Sequence, residues 1–197
     1  TIFMFPGQSS RYPEMLERLV DRDAANRDIV RHAGAVLGRD LARDFRAGNA
    51  GLFERNRDIQ IAVFLTSFTH ADMLRRRGVE PDISLGLSLG EYNHLVDIGA
   101  LSFEAGLRLV DARGALYDDG PAGVMASVGP IPAEDLVAAM EGARKLGTVE
   151  LAVENSPAYH VIGGEQRAVE ALLDEPEREH FVSGAIIESR VPMHTSL

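Results

Sequence analysis

The stretch of this 197-residue chain best suited to covalent chemistry is Gly86-Leu87-Ser88-Leu89-Gly90, a serine held between two glycines. The G-x-S-x-G pattern fits a nucleophile elbow, where a strand turns sharply into a helix and pushes the serine into the open. The flanks agree. An apolar run, Ile83-Ser84-Leu85, precedes the serine, and helical spacing at Tyr92, Leu95, Val96 and Gly99 follows it. The two glycines are needed because so tight a turn leaves no room for side chains. The unpaired N–H groups and dipole of the following helix would favour negative charge developing beside Ser88.

An alcohol needs a neighbour to take its proton, most often histidine. The chain has six: His32, His70, His94, His160, His180 and His194. His94 is near in sequence, but six residues along a helix turn it by about 600° and carry it about 9 Å, which aims it away from the serine. His32 and His70 lie in helical, partly charged contexts, His160 on a strand, and His180 in a polar turn. His194 follows Val191-Pro192 in a loop at a junction between modules, where catalytic side chains tend to sit. That ranks His194 first among the six without closing the choice. Gln60, polar at the start of an apolar helix, is either a hydrogen-bonding position near the site or a surface residue. Arg113 lies on a helix, and helical arginines usually project to solvent. The Pro6-Gly7-Gln8 loop is either a plain βα connection or a way to aim backbone N–H groups at an anion.

The elements that must hold these residues follow from periodicity. A buried strand over Thr1–Phe5 feeds that loop and a helix over Glu14–Val20. A charged helical region over 24–46 is punctuated by Gly34 and Gly38. Apolar positions 61, 64, 65 and 68 predict a buried helix over Ile59–Arg77, ended by three arginines and a left-handed Gly78. A further helix spans Ser102–Tyr117. Beyond it the pattern changes to strands over 124–128, 149–153, 159–162 and 184–190, with helices over 133–143 and 166–173 and a turn at Asn155-Ser156-Pro157. That β-α-β-β-α-β order is ferredoxin-like. The predicted class is α/β: a large subdomain over 1–122, an inserted ferredoxin-like small subdomain over 123–190, and a return to the large one over 191–197.

Composition sets the limits. With 45% hydrophobic residues the chain can bury a real core, and with no cysteine it has neither disulfides nor thiolate chemistry. A net charge of −10 argues against nucleic-acid binding. No stretch is long and apolar enough for a membrane span, and Thr1-Ile2-Phe3-Met4-Phe5 lacks the form of a signal peptide, so the expected location is the cytoplasm. The missing initiator Met and the abrupt end at Leu197 lead us to expect a fragment of a longer polypeptide.

Several motifs occur in register: Phe5-Pro6-Gly7-Gln8, Gln60, Gly86-x-Ser88-x-Gly90-Glu91-Tyr92, Arg113-Gly114, Asn155-Ser156-Pro157 and Val191-Pro192-x-His194. Together they resemble the malonyl-CoA:acyl-carrier-protein transacylase family, which includes the acyltransferase domains of fatty-acid and polyketide synthases. The resemblance implies an α/β-hydrolase-like large subdomain and a role for each motif. Ser88 would form the acyl ester and His194 would act as general base, then acid. The N–H groups of Gln8 and Leu89 would make the oxyanion hole, Arg113 would grip the malonyl carboxylate, and Gln60 and Met193 would line the pocket. The implied mechanism is ping-pong, with malonyl-CoA as donor and the phosphopantetheine thiol of an acyl carrier protein as acceptor. It needs neither a metal nor a bound cofactor.

Departures from the family pattern sharpen these expectations. Leu87 stands where histidine is usual, and Ser9-Ser10-Arg11 replaces the commoner Gly-Ser-Gln. Met193 replaces serine or phenylalanine and would narrow the space beside the acyl α-carbon, favouring malonyl over methylmalonyl. Family members continue well beyond the catalytic histidine, so a missing C-terminal segment or a second chain is expected to complete the domain. Two other readings stand beside the transferase. One is an acyl-thioester hydrolase of the same fold, against which Arg113 speaks. The other is a non-catalytic truncated docking fragment.

Overall fold

In chain order the elements are β1 (Ile2–Phe5), α1 (Glu17–Arg22), α2 (Ala24–Leu37), α3 (Leu41–Asp44), α4 (Asn56–Arg75), β2 (Ile83–Gly86), α5 (Gly90–Asp97) and α6 (Phe103–Asp118), followed by β3 (Val124–Gly129), α7 (Ala133–Ala143), β4 (Val149–Ser156), β5 (Tyr159–Gly164), α8 (Gln166–Glu179) and β6 (Ser183–Glu188). They come from a computed structural model that describes residues 1–46, 48–49, 51–179 and 183–197, so the turn expected at His180 lies outside the described residues. The chain divides into two units, Thr1–Asp119 and Gly120–Leu197.

Most elements fall where periodicity puts them, and the boundaries differ for local reasons. Glu14 has φ 67°, a left-handed conformation that a helix cannot contain. Helix α1 therefore starts at Glu17 rather than Glu14. The region 24–46 is two helices, because Gly38 takes φ 66° and ends α2. Asp23 caps α2 by accepting from the Ala25 N–H, and Asp40 caps α3 by accepting from the Arg43 N–H. Helix α4 begins at Asn56, earlier than expected, and Gly78 is left-handed as expected, with φ 77°. Ser102 is the cap of α6, accepting from the Ala105 N–H. The turn expected at 155–157 moves on: β4 runs through Ser156, and Pro157-Ala158 forms the two-residue connection to β5.

In the first unit α4 is the central helix. Ile59, Ile61, Ala62, Phe64 and Leu65 are fully buried and share one core with Leu107 and Val110 of α6 and Leu89 before α5. Two glycines on α6 permit its close packing. A Cβ at Gly114 would meet the Arg57 Cα at 2.5 Å, and one at Gly106 would meet Val96 at 2.7 Å. The N-terminus of α4 has no cap of its own; Asp118, at the end of α6, accepts from the Asn56 N–H (2.6 Å) and the Arg57 N–H (3.1 Å). Asp111, two turns earlier on α6, receives both Nε and Nη2 of Arg57. Strands β1 and β2 pair in parallel, with Ile2 opposite Ile83 and Met4 opposite Leu85. Phe3 and Phe5 face inward, whereas Ile2, Met4, Ile83 and Leu85 keep between 42% and 72% of their surface exposed. Parallel strands are normally covered on both faces, so an apolar outer face of this kind is unusual.

The second unit is an antiparallel sheet of strand order β4-β5-β3-β6. Alternate residues of β3, Val124, Ala126 and Val128, share a core with Leu136 and Met140 of α7 and with Ala168, Val169 and Leu172 of α8. No helix among the described residues is long and apolar enough to cross a membrane.

Candidate active site

The elbow is built by backbones that touch. A Cβ on Gly86 would lie 2.2 Å from the Gly90 carbonyl, and one on Gly90 would lie 2.1 Å from the Phe5 carbonyl oxygen. Only glycine fits either place. The Leu87 N–H donates to the Phe5 carbonyl (2.9 Å), tying the turn to the end of β1. Between the glycines Ser88 is held at φ 52°, a left-handed conformation that a non-glycine residue adopts at some cost. Leu89, its side chain fully buried, is the N-cap of α5. Its N–H belongs to the end of the helix where such groups lack intrahelical acceptors.

A guanidinium meets the serine. Arg113 Nη2 donates to Ser88 Oγ at 3.1 Å, and Nη1 donates to Gln60 Oε1 at 2.7 Å. The same cation lies over the rings of Tyr117, four residues on along α6, at 4.5 Å, and of Tyr92 at 5.8 Å. Behind it runs a buried line of amides: Gln60 Nε2 donates to Gln8 Oε1, and Gln8 Nε2 donates to Asn56 Oδ1, each at 3.1 Å. Gln60 and Asn56 are almost fully buried. The fold thus brings Gln8, Gln60, Ser88, Leu89 and Arg113 together from four separate parts of the chain. Chemically, a hydroxyl beside a fixed guanidinium suits a reaction on a molecule that carries a carboxylate close to its reacting carbonyl, because guanidinium and carboxylate match in charge and geometry.

Four histidines are engaged elsewhere. His94 Nδ1 lies 2.9 Å from Ser84 Oγ, and His70 Nδ1 is 2.8 Å from the Thr66 carbonyl. His160 Nε2 is 3.0 Å from the Ile131 carbonyl. His32 pairs with Glu104 at 2.7 Å, and that hydrogen bond holds the Glu104 carboxyl below its ordinary pKa. In the second unit His194 is exposed at φ 60°, in a turn where Thr195 Oγ1 donates to the Pro192 carbonyl at 2.6 Å. Ser196 anchors that turn: its Oγ and N–H both donate to Glu150, lowering the Glu150 pKa. Met193 is buried beside it. Leu87 is exposed, with its Cγ 4.0 Å from where a Cβ on Gly7 would stand.

Asn56, Asp118 and Tyr117 were not identified from the sequence. Two of them carried a signal: Asn56 is four residues before Gln60 on α4, and Tyr117 four after Arg113 on α6, so each shares a helix face with a residue already singled out.

The fold and site together define an α/β protein with a serine elbow and an arginine at its hydroxyl. A family model described as the acyl transferase domain matches residues 2–194, and the chain belongs to that family. It is 32% identical over 200 residues to the malonyl CoA-acyl carrier protein transacylase of Bacillus subtilis, covering 99% of this chain and 63% of that protein. Among solved structures it is similar to the transacylase of the same name from Clostridium perfringens (TM-score 0.89, 29% identity, 99% of this chain and 62% of that one). It is also similar to a malonyl-transacylase in complex with a type II polyketide acyl-carrier protein (TM-score 0.90, 28% identity, 99% of this chain and 64% of that one). The chain therefore spans somewhat less than two thirds of the length of these relatives.

Proposed function

We propose that this chain is the serine- and arginine-bearing part of an acyltransferase that moves a malonyl group from CoA to the phosphopantetheine thiol of an acyl carrier protein, for fatty-acid or polyketide synthesis. The observation that carries this reading is the 3.1 Å hydrogen bond from Arg113 to Ser88 Oγ, with Gln60 bracing the same guanidinium. A malonyl carboxylate bound to Arg113 leaves its thioester carbonyl one carbon away, within reach of Ser88.

Ser88 Oγ attacks that carbonyl while His194 takes its proton. Negative charge collects on the carbonyl oxygen and is held by the N–H groups of Gln8 and Leu89; removing one such donor costs on the order of 10²–10³ in rate. The C–S bond then breaks, and the CoA sulfur leaves with the proton from His194. In the second half the carrier thiol attacks the Ser88 ester, its proton passes to His194, and Ser88 regains a proton as the ester C–O bond breaks. Met193 lines the acyl pocket.

The N-terminal unit is, in this reading, part of a larger α/β-hydrolase-like subdomain into which the antiparallel unit is inserted. The exposed apolar face of β1 and β2 and the greater length of the relatives support a further C-terminal segment, or a second chain, that covers this face.

The test is an intact mass spectrum of the native full-length polypeptide before and after mixing with malonyl-CoA, with acetyl-CoA and a Ser88→Ala variant as controls. A malonyl increment on wild type alone, passed on to a carrier thiol, is the expected result. Release of free malonate in place of transfer would make the protein a hydrolase. No increment would overturn the reading.

A further inference from the structure

The line of amides behind Arg113 has a fixed polarity, and the cation sets it. A guanidinium has donors and no acceptor, so the Gln60 atom facing Arg113 must be its oxygen, as found at 2.7 Å. The Gln60 NH₂ must then face Gln8, which has to present its own oxygen (3.1 Å) and turn its NH₂ toward Asn56 Oδ1 (3.1 Å). Reversing any one amide sets two donors or two acceptors face to face. These side chains are nearly or fully buried, so water cannot easily repair such a mismatch.

Asn56 is the far end of this line, and its position is itself fixed. It is the first residue of α4, and its N–H is held by Asp118 at 2.6 Å. Asp118 lies on α6, the helix that carries Arg113. One helix therefore supplies both the cation and, through Asp118, the anchor of the residue at the opposite end.

We infer that Asn56 is a positioning residue for the carboxylate grip of Arg113. Acting through Gln8 and Gln60, its oxygen keeps an acceptor aimed at Nη1 and so leaves Nη2 directed at the reacting serine. This rests on the proposed malonyl-transfer reading. Without that acceptor the Gln8 amide loses its hydrogen bond to α4 and can shift, and Gln60, which donates to it, shifts with it. The guanidinium then loses the partner that fixes its plane. The loss falls on acyl groups that carry a carboxylate and spares those that do not.

The experiment compares wild type, Asn56→Ala and Asn56→Asp in the full-length polypeptide, measuring kcat and KM separately for malonyl-CoA and acetyl-CoA alongside a thermal melt. The alanine variant removes the acceptor; the aspartate keeps a carboxylate oxygen where Oδ1 stands. The expected result is about a tenfold fall in kcat/KM for malonyl-CoA, carried mainly by KM, in Asn56→Ala. Acetyl-CoA should change by less than about twofold, and Asn56→Asp should restore malonyl preference. If the alanine variant melts early, Asn56→Leu, which fills nearly the same volume without an acceptor, takes its place in the comparison. A parallel fall for both thioesters, or an unchanged malonyl-to-acetyl ratio, overturns the inference. Wild type that never accepts malonyl would instead sink the transfer reading beneath it.

Discussion

Gly90 and Phe5 stand backbone to backbone: a Cβ on Gly90 would fall 2.1 Å from the Phe5 carbonyl oxygen and 2.5 Å from its carbonyl carbon. The end of β1 is thus the surface against which the serine turn is pressed, and the loop carrying Gln8 leaves from that same point. The elbow and the proposed oxyanion loop are located by a single contact.

Replacing Gly90 with alanine should therefore disturb both at once. The expected loss is at least about 3 kcal/mol of stability, since the neighbour is backbone and cannot move aside. A thermal melt and labelling of Ser88 by a fluorophosphonate check it; an alanine variant that melts and labels like wild type would contradict this geometry.

Arg113→Lys keeps the charge but cannot make the same paired bonds to Gln60 and Ser88, because an ammonium is a point charge on a flexible stem. We expect malonyl-enzyme formation to fall by about 10²-fold while acetyl-enzyme formation holds or rises. Intact mass after timed mixing reads both.

Asp118→Ala strips the first turn of α4 of the carboxylate that accepts from two of its N–H groups. Loss of a helix cap typically costs about 1–2 kcal/mol. Urea unfolding would measure it, and a variant within experimental error of wild type would show that the cap contributes nothing.

Glu150 provides a pH test. Hydrogen bonds from Ser196 lower its pKa below the ordinary 4.5. A depressed carboxyl favours folding above the unfolded pKa and loses that contribution as pH falls through the folded value. The turn carrying His194 should hence loosen only below about pH 4.5. Ser196→Ala should move the Glu150 carboxyl titration, followed by NMR, up toward its ordinary position; no movement would mean that the hydroxyl is not the cause.

How much of this was legible beforehand depends on how far apart the interacting residues lie. The elbow could be read locally, since the glycines, the serine, the strand before and the helix after are contiguous. The helix end at left-handed Gly78 is equally visible. The left-handed Glu14 was not, because nothing in its own chemistry marks it. The composition of Asn155-Ser156-Pro157 reads as a turn, yet pairing of Ser156 with Tyr159 extends the strand and leaves the turn at Pro157-Ala158. Arg113 could be given a role only through a family pattern, because Gln60 and Ser88, which fix its direction, are distant in sequence. Asn56 lacked even that: its partner Gln8 is 48 residues away.

The capping of α4 by Asp118 reaches across 62 residues of chain. Helix ends ordinarily fray first, and their amide protons exchange with solvent soonest. Here the leading amides of α4 can be released only when the tail of α6 lifts away. In a hydrogen–deuterium exchange experiment the protons on Asn56 and Arg57 should behave as a clock for separation of the two helices, running far slower than their position at a helix terminus would lead one to expect.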